Sequence, residues 1–215
     1  WTGDTGWLTA ITQTLFMTFW SALFGGLLGL IFGIGLVITA PNGIAPNRAL
    51  FWLFDKVVSI FRAVPFIILL AAIAPFTKLI VGTQIGTTAA LVPLSLGVFP
   101  FYARQVQVAL AEVDGGIVEA AQAVGASFWD IVFGVYLREG RSEIIRVSTV
   151  TLISLIGLTA MAGAIGAGGL GNMAISYGYN RFASDTTWVA TILVLIFVLI
   201  VQLVGDFLAK KLSHK

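Results

Sequence analysis

The sequence predicts an all-α membrane protein with five membrane-spanning helices. Of the 215 residues, 58% are hydrophobic and only 10% are charged, and the mean hydropathy is +0.99. These values lie far outside the range of soluble domains. The chain also contains apolar runs long enough for spanning helices, which need about 20 residues, and too long for the tilted strands of a membrane barrel.

Five apolar stretches are predicted to form the spans, and the whole chain, 1–215, is expected to fold as a single domain. Four stretches fall in gaps between charged residues, such as the gap from Asp4 to Arg48. The remaining stretch is shorter and carries Arg62 near one end. A polar segment at about 107–146 is predicted to be a cytoplasmic loop. The spans are expected at about 10–38, 57–78, 85–106, 147–168 and 186–208.

Glycine and proline indicate how the first three spans pack. Gly25, Gly29 and Gly33 lie on one face of the first helix and let a second helix approach closely. The following stretch, APNGIAPN at 40–47, concentrates residues that build turns. Prolines in the second and third spans remove backbone donors, so these spans are expected to face protein or a pathway. These prolines are Pro65, Pro75, Pro93 and Pro100.

The fourth span supplies the candidate pathway residues. Its sequence GLTAMAGAIGAG at 157–168 consists almost entirely of small residues around one large flexible side chain, Met161. Two copies of Met161 would close a narrow apolar gate, with Gly157, Ala160 and Ala164 beside it. The alternative is that Met161 fills a gap between packed helices, a common use of methionine.

The glycines after Met161 match a dinucleotide-binding fingerprint at Gly166, Gly168 and Gly171. That fingerprint requires a preceding strand and an acidic residue about 20 positions later, whereas a membrane span precedes these glycines. We therefore expect the glycines to serve packing and bending.

The distribution of Lys and Arg predicts the orientation. With the C-terminus in the cytoplasm, ten of the 12 basic residues lie inside and only Lys78 and Arg181 lie outside, as the positive-inside rule requires. An odd number of spans then places the N-terminus outside. Arg62 falls at the cytoplasmic mouth, where it would either snorkel to the membrane surface or pair with a carboxylate. The basic residues are dispersed, which argues against a nucleic-acid partner.

The composition excludes several kinds of chemistry. The chain has no cysteine and its one histidine, His214, lies near the C-terminal end, so thiolate sites and His-based relays are excluded and no metal site is expected. Carboxylates do not cluster for acid–base work, which makes a membrane enzyme a remote alternative. No ionisable residue is expected deep in a span and the chain has no ATP-binding P-loop, so a separate polypeptide must supply energy.

The stretch EAAQAVGASFWDIVFGVYLREG at 119–140 predicts two short helices joined at a glycine. Asp114 can cap the first helix, and Gly125 can end it. Ser127 and Asp130 have the spacing of a capping box, with Asp in place of the usual Glu, which begins the second helix. This segment, residues 114–139, is termed the elbow. From its residues alone, the elbow either docks a soluble partner or lies on the inner membrane surface.

The elbow resembles the EAA loop of the permease subunits of ABC importers. It departs from the family pattern at Arg138, where a proline is usual. Two further stretches resemble amino-acid importers. One is FRAVPFIILL at 61–70. The other is GAIGAGGLGNMAISYGY at 163–179, which resembles the methionine-importer permeases in particular. The elbow residues that carry the resemblance are Glu119, Ala120, Ala121, Gly125, Val135, Tyr136 and Leu137.

This resemblance implies a function and a set of partners. The chain would act as a homodimer in the bacterial inner membrane, with two cytoplasmic ATPase subunits and an extracytoplasmic substrate-binding protein. It would hold no cofactor and catalyse no covalent reaction, because the ATPase would bind ATP and Mg²⁺. Methionine or a related amino acid is the implied cargo. The coupling helix that docks on the ATPase would include Glu119, Ala120, Ala121, Gly125 and Ala126.

Two alternatives remain open from the sequence. The chain could be a stand-alone small channel or ion-coupled carrier, in which case the elbow is only a surface hairpin. Within the ABC family, the cargo could be a different small solute, because the external binding protein usually sets selectivity.

Overall fold

The computed structural model describes residues 6–213, and all regular elements in that range are helical. Asp4, His214 and Lys215, which entered the sequence predictions, lie outside the described residues. The helices are α1 (Trp7–Thr39), α2 (Arg48–Ala63), α3 (Phe66–Ala72), α4 (Ala74–Val81), α5 (Thr87–Ala111), α6 (Gly115–Ala123), α7 (Leu137–Glu139), α8 (Arg141–Ala162), α9 (Gly169–Asn172) and α10 (Ser184–Leu212). Wider π-helical turns occupy Asp130–Tyr136, Gly163–Ala167 and Met173–Gly178, and a 3-10 turn occupies Tyr179–Arg181.

Within residues 6–213, three helices are long and apolar enough to cross a membrane: Trp7–Thr39, Arg141–Ala167 and Ser184–Leu212. They coincide with the first, fourth and fifth predicted spans. The third predicted span corresponds to α5, a helix of 25 residues that carries Arg104 toward its end. The ends of the loop predicted at 107–146 are helical, because α5 continues to Ala111 and α8 begins at Arg141.

The predicted span 57–78 is not a single helix in the structure. α2 already begins at Arg48 and stops before Pro65. A proline disfavours the helical conformation in the residue before it, and Val64 is accordingly extended, with φ −82° and ψ 121°. A second break at Ile73 separates α3 from α4. The sequence analysis noted Pro65 in this stretch but predicted one continuous span, and it did not predict the early start of α2.

The glycine face of α1 packs against α5, as the sequence predicted. A Cβ atom on Gly29 would lie 2.8 Å from the carbonyl oxygen of Phe99, and one on Gly33 would lie 2.6 Å from Cβ of Val106. No side chain fits in these gaps, so the two backbones are in close contact. α5 continues through Pro93 and Pro100, and both prolines are buried, as expected for a span that faces protein.

The loops gather at two opposite ends of the molecule. At one end Nε of Arg141 donates a hydrogen bond to the carbonyl of Leu212 (3.0 Å), so the start of α8 meets the end of α10. At the other end the amide of Gly169 donates to Oε1 of Gln13 (2.7 Å), so the start of α1 meets the segment after α8. The elbow lies at the first end, where it packs against Val37 near the end of α1.

The segment after α8 bends at glycines. Gly166 and Gly168 have φ values of 100° and 83°, which glycine adopts without steric cost. The amide of Gly86 donates to the carbonyl of Gly166 (3.0 Å), which ties the bend to the start of α5. A Cβ atom on Gly171 would overlap the backbone of Ala160, so α9 packs directly on α8. The predicted role of these glycines in packing and bending is therefore confirmed.

Candidate functional site

The first helix of the elbow, α6, exposes a surface of small residues. Oδ1 of Asp114 accepts a hydrogen bond from the amide of Gly116 (2.8 Å), which caps the helix as predicted. Val118 is buried and anchors α6 on the body of the protein. Of the predicted docking residues, Glu119, Ala120 and Gly125 are exposed, and Ala121 and Ala126 are half-buried.

A Schellman motif ends α6 at the predicted glycine. The amide of Gly125 donates to the carbonyl of Gln122 (3.0 Å), and the amide of Ala126 donates to the carbonyl of Ala121 (3.0 Å). Gly125 has a φ of 81°, which other L-residues reach only at a cost. A Cβ atom there would meet nothing within 4 Å, so the backbone conformation and not the packing requires glycine.

The second part of the elbow begins with the predicted capping box. Oδ2 of Asp130 accepts hydrogen bonds from the amide (3.0 Å) and the hydroxyl (2.6 Å) of Ser127. The amide of Asp130 donates in return to Oγ of Ser127 (3.3 Å). The hydroxyl donor, followed by the amide donor, lowers the pKa of the Asp130 carboxyl below its ordinary value of 3.8. Both halves of the elbow are thus fixed by local hydrogen bonds.

The outer face of the elbow carries an apolar patch that the sequence analysis missed. Val124 is 85% exposed, and the exposed rings of Phe128, Trp129 and Phe133 follow it along the chain. The rings of Trp129 and Phe133 stack with centroids 5.7 Å apart. Contiguous exposed apolar side chains mark interaction surfaces. The adjacent Phe and Trp were visible in the sequence, but only the structure shows that they face outward.

Glu119 borders a cavity of about 450 Å³ between α6 and the turn that follows α1. Asn42, Gln107 and Gln122 contribute further polar side chains to its wall. The carboxylate therefore lies at the joint between the elbow and the body, in addition to being exposed.

The four predicted pathway residues lie on one side of α8 and its continuation. Gly157 and Met161 are exposed, Met161 to 41%, and Ala164 is half-buried. Their spacing of four and three residues keeps them on one side of a helix. Ala160 is three residues after Gly157 and four before Ala164, so it lies at the edge of the same face, where its backbone contacts Gly171. Met161 is therefore partly accessible from outside the chain, as the prediction of a gate between two copies requires.

Arg62 lies in the last turn of α2 and lines a cavity of about 300 Å³. Ser154 and Leu158 of α8 line the same cavity. Ser154 also stands one and two helical turns before Gly157 and Met161, so this cavity adjoins the exposed face of α8. Arg62 forms no hydrogen bond or ion pair with any residue in the described range 6–213.

An ion pair between α2 and α5 escaped the sequence analysis. Nη2 of Arg104 donates to Oδ1 of Asp55 (2.7 Å) and to Oγ of Ser59 (3.3 Å), and Nη1 donates to Oε1 of Gln107 (2.6 Å). Asp55 and Arg104 are 49 positions apart, so no local spacing indicates their pairing. The pair holds α2 against α5 and neutralises the charge of Arg104 within the chain.

A known protein family matches a region of this chain that includes all of these features. The family described as binding-protein-dependent transport system inner membrane component matches residues 25–214. The chain belongs to this family. The resemblance to importer permeases that the elbow indicated is thereby confirmed.

Other members of the family resemble the chain over most of its length. It is 45% identical over 207 residues to the probable D-methionine transport system permease protein MetI of Haemophilus influenzae, covering 96% of this chain and 97% of that protein. It is 46% identical over 180 residues to the methionine import system permease protein MetP of Bacillus subtilis, covering 84% and 81%. A solved structure of the MetNI methionine ABC transporter in an inward-facing conformation matches with a TM-score of 0.95 and 40% identity, covering 100% of both chains.

Proposed function

We propose that the chain is the permease subunit of an ATP-driven ABC importer for methionine or a closely related amino acid. The methionine-transport relatives and the likeness to the MetNI transporter support both the substrate and the class of transporter. The observation that carries the mechanism is the elbow, a short capped helix that projects from one end of a helical membrane protein.

The elbow docks on a separate ATPase subunit and passes its movement to the membrane helices. Its exposed residues Ala120 and Val124 form the contact, together with the aromatic patch. Its buried residues Val118 and Tyr136 pack in one cluster with Val106 of α5. Because closely packed side chains transmit displacement with little loss, a push on the elbow acts directly on α5 and, through the glycine contacts, on α1.

The translocation pathway forms between two copies of the chain. A closed pair of identical subunits has a two-fold axis, and the exposed face of α8 is the surface that can meet its equivalent there. Met161 from each copy then narrows the pathway, with Gly157 and Ala164 beside it. Ala160 lies at the edge of this face, where its backbone packs against Gly171 of α9.

The chain, 1–215, forms one permease domain with five spans, its N-terminus outside and its C-terminus in the cytoplasm. The region 57–81 crosses as a broken segment, and α5 crosses because it is enclosed by neighbouring helices, which suits its polar residues. The elbow then lies inside, with the start of α8 and the end of α10. The residues 169–185 lie outside and receive the substrate-binding protein.

Nucleotide chemistry belongs to the partner. In the part of the chain that the structure describes, no group of three or more His, Cys, Asp or Glu residues could hold a metal ion. ATP and Mg²⁺ are bound by the two ATPase subunits, and the permease moves its cargo without covalent chemistry.

Reconstituted transport tests this function. The chain is co-purified with its ATPase, placed in liposomes with ATP inside and supplied with the binding protein and labelled methionine. We expect uptake to require ATP and both proteins. Unlabelled methionine should reduce the uptake of labelled methionine more strongly than other amino acids do. If an unrelated solute competes more strongly than methionine, that solute and not methionine is the transported substrate.

The stand-alone alternative gives a different result in the same assay. A channel or an ion-coupled carrier would move its solute without the ATPase. Uptake that is unchanged when the ATPase is omitted, or failure of the two proteins to co-purify, would overturn the proposal.

A further inference from the structure

Arg62 lies deep in the molecule. Distances measured along three helices give the same depth for it. It is about 20 Å along α2 from the start of that helix, at a rise of about 1.5 Å per residue. Ser154, which lines the same cavity, is about 20 Å from the start of α8, and Gly97 is about 20 Å from the end of α5. The backbone of Arg62 therefore lies near the level of Gly97, in the middle of the predicted span 85–106, and of Ser154, about 10 Å inside the predicted span 147–168.

An arginine at this depth is costly unless another group neutralises it. Arg104 on α5 is neutralised within the chain by Asp55, and Gln107 accepts a further hydrogen bond from it. Arg62 has no such partner among residues 6–213, and it is exposed to the cavity. A charged side chain that faces a cavity inside the membrane marks the route of an oppositely charged ligand.

The cavity combines this one cation with apolar walls. Phe66, Leu69 and Leu158 contribute large apolar side chains, and Ser154 contributes the only other polar side chain that the described residues place in the lining. The cavity of about 300 Å³ adjoins the face of α8 that carries Met161. Its chemistry suits a small molecule with one anionic group and an extended apolar chain.

We infer that Arg62 binds the carboxylate of the transported amino acid while the apolar side chain of the substrate lies against Phe66, Leu69 and Leu158. The planar guanidinium presents N–H groups in a fork that matches both carboxylate oxygens. The inference rests on the proposed function and makes it more specific. The permease itself, and not only the binding protein, then selects monocarboxylic amino acids with apolar side chains.

A charge-rescue experiment tests this role, because the chain contains no cysteine. Arg62→Cys in the full transporter is expected to lower ATP-driven methionine uptake about 10-fold or more, the loss expected for one charged hydrogen bond. A methanethiosulfonate reagent that attaches an ammonium group to the introduced thiol should restore uptake several-fold. A neutral reagent, methyl methanethiosulfonate, should not. The wild-type complex treated with both reagents controls for thiols in the partners.

Arg48→Cys is the matched control, because Arg48 carries the same charge on the same helix at its exposed start. We expect normal uptake from this variant before and after either reagent. Two results in a working wild-type complex would overturn the carboxylate role while the proposed function stands. One is that Arg62→Cys transports methionine as well as the wild type. The other is that the neutral reagent restores uptake as fully as the cationic reagent. Absence of uptake by the wild type would instead overturn the proposed function.

A second pair of variants covers the case in which Arg62→Cys does not assemble with the ATPase. Arg62→Lys keeps a cation at the same place, and Arg62→Met keeps a side chain of similar length without charge. We expect Arg62→Met to lose about 10-fold, the same loss of a charged hydrogen bond, and Arg62→Lys to retain part of the uptake, because an ammonium keeps the charge without the fork of N–H groups. Equal uptake by the two variants contradicts the inference.

Discussion

At Gly125 the backbone takes a φ of 81°, and this single angle sets the direction in which the elbow leaves α6. The two hydrogen bonds of the Schellman motif depend on it, since both are made by the amides of Gly125 and Ala126. A residue with a Cβ atom is strained in this conformation even though the surrounding space is empty.

Gly125→Ala is therefore expected to destabilise the corner by about 1 to 2 kcal/mol, the usual cost of the left-handed conformation. We expect ATP-driven uptake to fall several-fold, while the variant still inserts into membranes at the normal level. Uptake in liposomes and quantitative membrane blotting measure the two effects.

Gly134→Ala is the matched control within the same elbow. A Cβ atom on Gly134 also meets nothing within 4 Å, but its φ is not in the left-handed region. Near-normal uptake is expected from this variant. An equal loss from both substitutions would show that any methyl group on the elbow disturbs the contact, and that the corner conformation is not the cause.

Among single residues, the sequence was most informative where a residue acts on its own neighbours. Gly125, Asp114 and the Ser127–Asp130 pair were predicted correctly, because caps and glycine corners are made within a few positions of chain. The ion pair of Asp55 with Arg104 was missed, because it depends on how two helices meet. The depth of Arg62 was missed for the same reason.

At the scale of elements, the contact between α1 and α5 is the main packing feature. Gly29 and Gly33 allow it, and both are buried on the face of α1 that meets α5. Gly26 lies on a different face of α1, and a Cβ atom there would meet nothing within 4 Å. The helix thus offers one position where a methyl group is obstructed and one where it is not.

Gly33→Ala is expected to lower stability by about 1 to 3 kcal/mol, because its Cβ would lie 2.6 Å from Cβ of Val106 and overpacked helices must shift. The melting temperature of the detergent-solubilised protein, followed by size-exclusion chromatography after heating, measures this. Gly26→Ala should melt at or above the wild-type temperature. Identical melting of the two variants would contradict the described packing.

Element boundaries were predictable where hydropathy alone decides them. α1, α8 and α10 match predicted spans, because long apolar runs have no stable alternative to a spanning helix. The region 57–78 was predicted as one helix and is three, because hydropathy shows neither the extended Val64 before Pro65 nor the second break at Ile73. α2 began earlier than predicted, since its sequence is amphipathic and hydropathy does not mark its start.

At the scale of the whole molecule, the exposed face of α8 predicts how two copies meet. Met161→Cys introduces one thiol per chain, because the protein has no cysteine of its own. If Met161 narrows a pathway on the two-fold axis, we expect a short bifunctional maleimide to link two permease subunits, which a gel detects as a band of doubled mass. Ala162→Cys, one position away on a buried face, should not give this band. Linkage at position 162 but not at 161 would place another face of α8 at the interface.

The partner surfaces could be predicted from the sequence only through resemblance. Glu119, Ala120 and Ala121 predict a docking helix by their similarity to a family motif, whereas composition alone left an amphipathic surface hairpin equally possible. The aromatic patch of Phe128, Trp129 and Phe133 was not predicted, because exposure belongs to the folded chain. The exposed apolar surface of the elbow is therefore larger than its sequence motif indicates.

Photo-crosslinking from Val124 tests the coupling of elbow and ATPase most directly. Val124 is 85% exposed at the corner of the elbow, so a photoreactive amino acid placed there reports what covers this surface in membranes that contain the assembled transporter. We predict a crosslink to the ATPase subunit that becomes stronger or weaker when ATP is bound, and none from position 79, whose side chain is 84% exposed at the other end of the molecule. Crosslinking from Val124 to lipid alone, with the ATPase present and active, would contradict the account.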